Sequence, residues 1–271
     1  MKQTTLAFAT PKKQEKEKQI KVAIIGTAGR GPLDRQFFSL KLYQDMVQEA
    51  KEWISSLNVK AENITLVSGG ASLSDHIAVD LFLNNPEFDK CILYLPCAFD
   101  SKVQRFVDNG SPKWQVNPGR ISNLYHERFS KIIGRNSLQE IELARQKGAI
   151  LDTSNKGFHE RNFKVGKSDY LLAFTWGDGQ NVTDGGTGHT WTNAKNAVKT
   201  HISLHTLLLK KSSKSTKRKH DEQEDEQDLE KTQDYSAASV SSSSSSAANT
   251  GNVTSSSSCS SASASICRAT R

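Results

Sequence analysis

Three short stretches combine glycines with hydroxyl side chains: Gly26-Thr27-Ala28-Gly29-Arg30-Gly31, Ser68-Gly69-Gly70-Ala71-Ser72 and Asp184-Gly185-Gly186-Thr187-Gly188-His189-Thr190. Glycine lets a backbone approach a ligand closely and turn its N–H groups toward phosphate oxygens. The hydroxyls of Thr27, Ser68 and Thr187 can add hydrogen bonds, and Arg30 offers a guanidinium that grips a phosphate through two parallel bonds. Two related triplets, His126-Glu127-Arg128 and His159-Glu160-Arg161, supply acid/base groups and further arginines. Glu127 and Arg161 are the catalytic candidates among them. Trp114, Trp176 and Trp191 are residues on which a base can stack, although tryptophans are more often packing residues.

Two familiar phosphate motifs are excluded. The first stretch reads G-x-x-G-x-G rather than G-x-G-x-x-G, and no G-x-x-x-x-G-K-[ST] occurs. Seven widely spaced histidines, and four cysteines without C-x-x-C spacing, predict neither a metal site nor a disulfide framework.

The elements that position these stretches follow from the hydrophobic pattern. Continuous apolar runs at Lys21–Ile25, Ile64–Val67, Cys91–Leu95 and Tyr170–Phe174 read as buried strands, with shorter ones at Ala149–Leu151 and Ile202–Leu208. Helical periodicity spans Asp34–Leu57, Leu73–Leu83 and Arg120–Ile133. Ser137 and Glu140 have the spacing of a capping box, and Gly148 suits a helix end. Short helices are expected over Phe158–Gly166 and Thr190–Thr200. A long polar loop fills the interval from Pro96 to Gly119. Apolar strands alternating with helices predict an α/β fold with a Rossmann-like, open, mainly parallel sheet covered on both faces. Ligands of such sheets sit at the carboxyl ends of the strands, where the strand order reverses. The first two glycine stretches directly follow predicted strands, and the third lies beyond Tyr170–Phe174.

Composition bounds the domain. The chain has 271 residues with net charge +7. That excess divides as +3, +3 and +1 among residues 1–19, 20–209 and 210–271. A nearly neutral centre argues against a core that binds DNA through a basic face. Mean hydropathy is −0.57, and no apolar run approaches the roughly 20 residues of a membrane span. The first residues lack the apolar stretch of a secretory signal, so an intracellular protein is expected. Residues 1–19 read as a disordered basic leader, residues 20–209 as the domain, and residues 210–271 as a disordered, charged and then serine-rich tail too poor in apolar groups to order itself.

Ser68-Gly69-Gly70-Ala71-Ser72-Leu73-Ser74-Asp75 resembles the S-G-G-A-R-G-A-D segment of the SLOG superfamily, which includes DprA/Smf, LOG and YspA-like proteins. Gly26-Thr27 resembles that family's first glycine turn. Arg161-Asn162, followed by Ser168-Asp169 and Tyr170–Phe174, resembles a second segment, and Gly185–Gly188 a third. The ordered set covers residues 20–200. It implies a Rossmann-like domain that binds a nucleotide-derived ligand through Gly26, Thr27, Gly29, Arg30, Ser68, Gly69, Gly70, Asp75, Gly185, Gly186, Thr187 and Gly188. No resident cofactor is implied. LOG enzymes hydrolyse the N-glycosidic bond of nucleotides with a glutamate in P-G-G-x-G-T-x-x-E. The equivalent stretch here, Gly185 to Lys195, contains no glutamate. Two functions stay open: a hydrolase of a nucleotide-like molecule, and a catalytically silent nucleotide sensor or adaptor. A homodimer is open too, since LOG-type proteins form them.

The two ends suggest partners. Gln3, Leu6 and Phe8 before Pro11-Lys12-Lys13 resemble a sliding-clamp (PCNA) binding peptide, although Ala9 and Thr10 occupy its aromatic positions. Lys217, Arg218 and Lys219 sit in a basic cluster of the kind that directs nuclear import.

Overall fold

The computed structural model describes residues 18–183 and 185–209. Gln3, Leu6, Phe8, Lys217, Arg218 and Lys219 lie outside the described residues.

Six strands form one parallel sheet. They are β1 (Ile20–Gly26), β2 (Ile64–Ser68), β3 (Lys90–Tyr94), β6 (Ile150–Asp152), β7 (Tyr170–Thr175) and β8 (Val198–Ser203), in the spatial order β6-β3-β2-β1-β7-β8. The chain winds outward from β1 in one direction, then crosses back to add β7 and β8 on the other side. The order therefore reverses between β1 and β7.

Alternation along each strand divides the core into two layers. Val22 and Ile24 of β1, Leu66 of β2, and Leu172 and Phe174 of β7 face one cluster. It is covered by α2 (Leu40–Ser56), α3 (Ile77–Asn84), α4 (Pro118–Ile133) and α5 (Ser137–Lys147). Ala23 and Ile25 of β1, Val67 of β2, and Leu171 and Ala173 of β7 face the other. There they meet Val165 of α6 (Phe158–Val165) and Trp191 of α7 (Gly185–Asn193). Burial of both sheet faces is why these strands read as unbroken apolar runs.

Several boundaries differ from the sequence reading. The long helix expected over Asp34–Leu57 is two helices, α1 (Pro32–Phe37) and α2. The break falls at Ser39, whose Oγ accepts the Leu42 N–H and caps α2. Leu73–His76 forms a 3-10 turn before α3. The polar loop after β3 contains a small antiparallel pair, β4 (Phe99–Asp100) and β5 (Arg105–Phe106). Ser137 is not a capping residue: Asn136 caps α5, accepting from the Leu138 and Gln139 amides. Glu140 instead pairs with His76 and Arg135. The last strand lies earlier than Ile202–Leu208, and residues 204–209 are helical. Likewise the helix placed at Thr190–Thr200 begins at Gly185 and ends at Asn193. Among the described residues no helix is long and apolar enough to cross a membrane, and no three metal-ligating side chains gather.

Candidate functional site

Parallel pairing puts the carboxyl ends of β1, β2 and β7 on one edge of the sheet, so the glycine stretches meet there. The loops after β1 and β2 are stitched together. Ser72 Oγ donates to the Ala28 carbonyl at 3.0 Å, and the Ser74 N–H donates to the Thr27 carbonyl at 3.3 Å. The third stretch joins through Thr187, whose Oγ1 donates to the Gly26 carbonyl at 2.7 Å. Close approach requires glycine at two of these positions. A Cβ on Gly26 would lie 2.1 Å from the Phe174 carbonyl oxygen, and one on Gly69 would lie 2.6 Å from Arg161 Cζ.

Two buried carboxylates organise the loops. Asp34 accepts from Thr27 Oγ1 at 2.7 Å, the Gly31 N–H at 2.9 Å and Trp176 Nε1 at 2.8 Å. It thereby ties the turn after β1 to the residue that follows β7. Asp75 accepts from the Gly69 N–H at 3.1 Å and the Ala71 N–H at 3.4 Å, and its Oδ2 lies 3.7 Å from Arg161 Nη1. Burial pushes the Asp75 carboxyl above its ordinary value, against the opposing pull of Arg161 and the loop amides.

Arg161 is a strut. Its Nη1 donates to the Gly69 carbonyl at 2.9 Å, and its Nε and Nη2 donate to Asn162 Oδ1. Asn162 passes the link to α7, donating from Nδ2 to the Gly186 carbonyl at 3.1 Å. Burial lowers the affinity of Arg161 for its proton; Asp75 opposes that shift and Arg30 adds to it. Leu73 adopts a left-handed φ of 63°. Its buried side chain packs against Gly29, which compensates the strain.

The sequence-predicted residues thus divide by role. The hydroxyls of Thr27, Ser68 and Thr187 are engaged inside the loops; Ser68 Oγ donates to the Asp75 carbonyl at 2.7 Å and accepts the Gly70 N–H. The Gly69 and Gly70 amides are likewise taken. By contrast, the amides of Ala28, Gly29 and Arg30, and those of Gly185, Gly186 and Thr187 in the first turn of α7, find no backbone partner among the described residues. Gly188 is buried against Thr183. The Arg30 guanidinium lies beside the start of α7, with Nη2 3.3 Å from where a Gly185 Cβ would stand. It forms no ion pair among the described residues.

Glu127 is not drawn into this cluster. Arg105 Nη2 holds its carboxylate at 2.5 Å, and both line a cavity of about 440 Å³ beside the amino-terminal half of α4. Its neighbour His126 reaches the loops instead. His126 Nε2 donates to the Gly70 carbonyl at 3.1 Å and Nδ1 accepts from Ser137 Oγ at 2.9 Å. Burial, then His76, push its pKa down to about 3. In the second triplet His159 meets His189 edge-on, with ring centroids 4.8 Å apart, bringing α6 beside the start of α7. Trp191 is a core residue. Sequence reasoning passed over Asp34 and Asn162 as site residues. Their signals were slight: an aspartate three residues after Gly31, and an asparagine adjoining Arg161.

Comparison with known proteins is brief. No family model matches the chain, and no solved structure matches it. It is similar to the uncharacterized protein R261 of Acanthamoeba polyphaga mimivirus, at 34% identity over 193 residues, covering 69% of this chain and 97% of the viral one. Agreement of that extent over almost the whole viral protein means that the chain belongs to the same family as that mimivirus protein.

Proposed function

We propose that this domain binds a phosphate-bearing, nucleotide-derived ligand in the opening between the carboxyl ends of β1 and β7. One observation carries the reading. The guanidinium of Arg30 lies against the amino-terminal turn of α7, where the helix dipole is positive. Arg161, a second cation, is close enough for Arg30 to depress its proton affinity. Like partial charges converge there with no acidic partner for Arg30 among the described residues, and a bound anion would relieve that repulsion. The amides of Ala28, Gly29 and Arg30 would complete the cradle.

Binding without turnover is the favoured form. Asp34 and Asp75, the buried carboxylates of the cluster, already accept hydrogen bonds from loop donors. Glu127 is paired with Arg105. Among the described residues these carboxylates already serve the fold as acceptors, which favours a sensor or adaptor over a hydrolase.

Thermal shift of the full chain with ribose 5-phosphate, nucleoside monophosphates and ADP-ribose tests the reading, with chromatography for product. A ligand at 100 times its Kd adds about 2.7 kcal/mol of stability. Arg30→Ala should leave the unliganded melting temperature within a degree or two of wild type and abolish the ligand-induced rise. An equal rise in the variant would reject the site. Product formation would reject the silent form.

A further inference from the structure

We propose that the anion site extends onto a pair of histidines, His189 and His159, which take up a proton as the anion binds, so that the site is regulated by pH. This rests on the phosphate site proposed above. The third glycine stretch carries His189 into α7, and the second His-Glu-Arg triplet carries His159 into α6. Residues three and four apart are neighbours on a helix surface, so His189 adjoins both Gly185 and Gly186, beside which the Arg30 guanidinium lies. A helical side chain also leans back toward the amino end of its helix. The His189 ring therefore leans over the first turn of α7, where Gly185 and Gly186 put no side chain in its way. Across the seam, His159 is one turn from Asn162, whose Nδ2 donates to the Gly186 carbonyl at 3.1 Å. The two histidine rings meet edge-on with centroids 4.8 Å apart.

Histidine is the side chain whose charge ordinarily changes between pH 5 and 8. Positive charge already gathers around this pair: Arg30 lies beside Gly185, Arg161 is two residues from His159, and the amino end of α7 is the positive end of its dipole. Neither imidazole has a carboxylate partner among the described residues. Glu160, next to His159, accepts from the Lys156 amide at 2.8 Å, Asp75 faces Arg161, and Lys164 farther along α6 pairs with Asp152. On β8, Lys199 and His201 are turned to the Trp191 ring. A proton on the pair therefore has no counter-ion until an anion arrives at the start of α7. By linkage, proton and anion raise each other's affinity by the same factor. One unit charge roughly 8 Å from a dianion across water is worth about a fivefold change.

The test measures binding of sulfate and of ADP-ribose to the full chain by calorimetry at pH 8, 7 and 6 and constant ionic strength. Both probes keep a fixed double negative charge over that range, so a change in affinity belongs to the protein. Affinity should rise about threefold to fivefold from pH 8 to pH 6, and heats in buffers of different ionisation enthalpy should show net proton uptake. His159→Gln combined with His189→Gln should flatten the profile and remove the uptake. His159 is exposed and His189 half-buried, so the melting temperature of the unliganded variant should match wild type. His159→Gln combined with His189→Lys, which carries its charge throughout, should bind at pH 8 about as tightly as wild type does at pH 6. A flat wild-type profile, or a rise that survives the double glutamine variant, would overturn the inference and leave the phosphate site standing. Failure of both probes to bind at any pH would overturn it too, and silence of the nucleoside monophosphates in thermal shift would overturn the phosphate site as well.

Discussion

His126 gives the sharpest test of how the turn after β2 is held. Its imidazole is fully buried between α4 and the Gly70 carbonyl, and burial, with His76 alongside, lowers its pKa from 6.5 to about 3. Between those values the unfolded chain holds a proton that the folded chain refuses. Stability therefore rises with pH across the window and is lost as pH falls from 6.5 toward 3. Going from pH 7 to pH 5, a group with these two values removes about 2 kcal/mol. Because pH 5 lies well above the folded value, nearly all of that comes from protonation of the unfolded chain. The loss is a sizeable part of a typical domain stability of about 5–15 kcal/mol. Urea unfolding at pH 7, 6 and 5 would measure it, with His126→Gln as the comparison. The variant should be less stable at pH 7, because the Gly70 carbonyl and Ser137 hydroxyl lose their partner geometry. It should also lose about 2 kcal/mol less than wild type on going to pH 5. Parallel pH profiles would refute the reasoning, for they would mean that His126 keeps its ordinary proton affinity in the folded state.

Three further substitutions probe the loop framework. Gly26→Ala places a Cβ 2.1 Å from a backbone oxygen of β7, which cannot yield without breaking the sheet; soluble yield or urea midpoint should fall by the equivalent of roughly 3 kcal/mol or more. Gly69→Ala drives its Cβ to within 2.7 Å of Arg161 and Asp75. It should cost about 2–4 kcal/mol, by splitting a buried ion pair, and abolish any phosphate-ligand thermal shift in whatever folded fraction remains. Asp34→Ala removes the acceptor for Thr27, Gly31 and Trp176 together. A donor left unmet by burial costs about 1–3 kcal/mol; with these three only partly buried and open to replacement water, denaturation should show a total loss of about 1–3 kcal/mol, and a red shift of tryptophan emission should report the freed indole.

The sequence carried the elements well where their cause is local. Strands β1, β2, β3 and β7 are apolar runs of five to seven residues, and each was recognised to within two residues at either end. Boundaries failed where a single polar atom decided them. Ser39 ends one helix and starts another by capping Leu42, and Ser137 gives its hydroxyl to His126 rather than to its own helix. In each case two arrangements compete for the same hydroxyl, and local pattern does not choose between them.

The sequence by itself determined that the chain makes a covered parallel sheet and that glycine turns follow its strands, because both follow from short-range periodicity and backbone freedom. Tertiary structure alone decided the strand order, and with it that the order reverses between β1 and β7. It also decided which polar groups face inward. Thr187 reaches the Gly26 carbonyl across 161 residues of chain, and Arg161 reaches Gly69 across 92. Residue type could mark Thr27, Ser68 and Arg161 as groups that bind anions, but packing assigned them to the protein's own backbone and left Arg30 facing the helix end. Which donor meets which acceptor depends on how distant segments pack, and buried polar groups must find a partner wherever that packing places them.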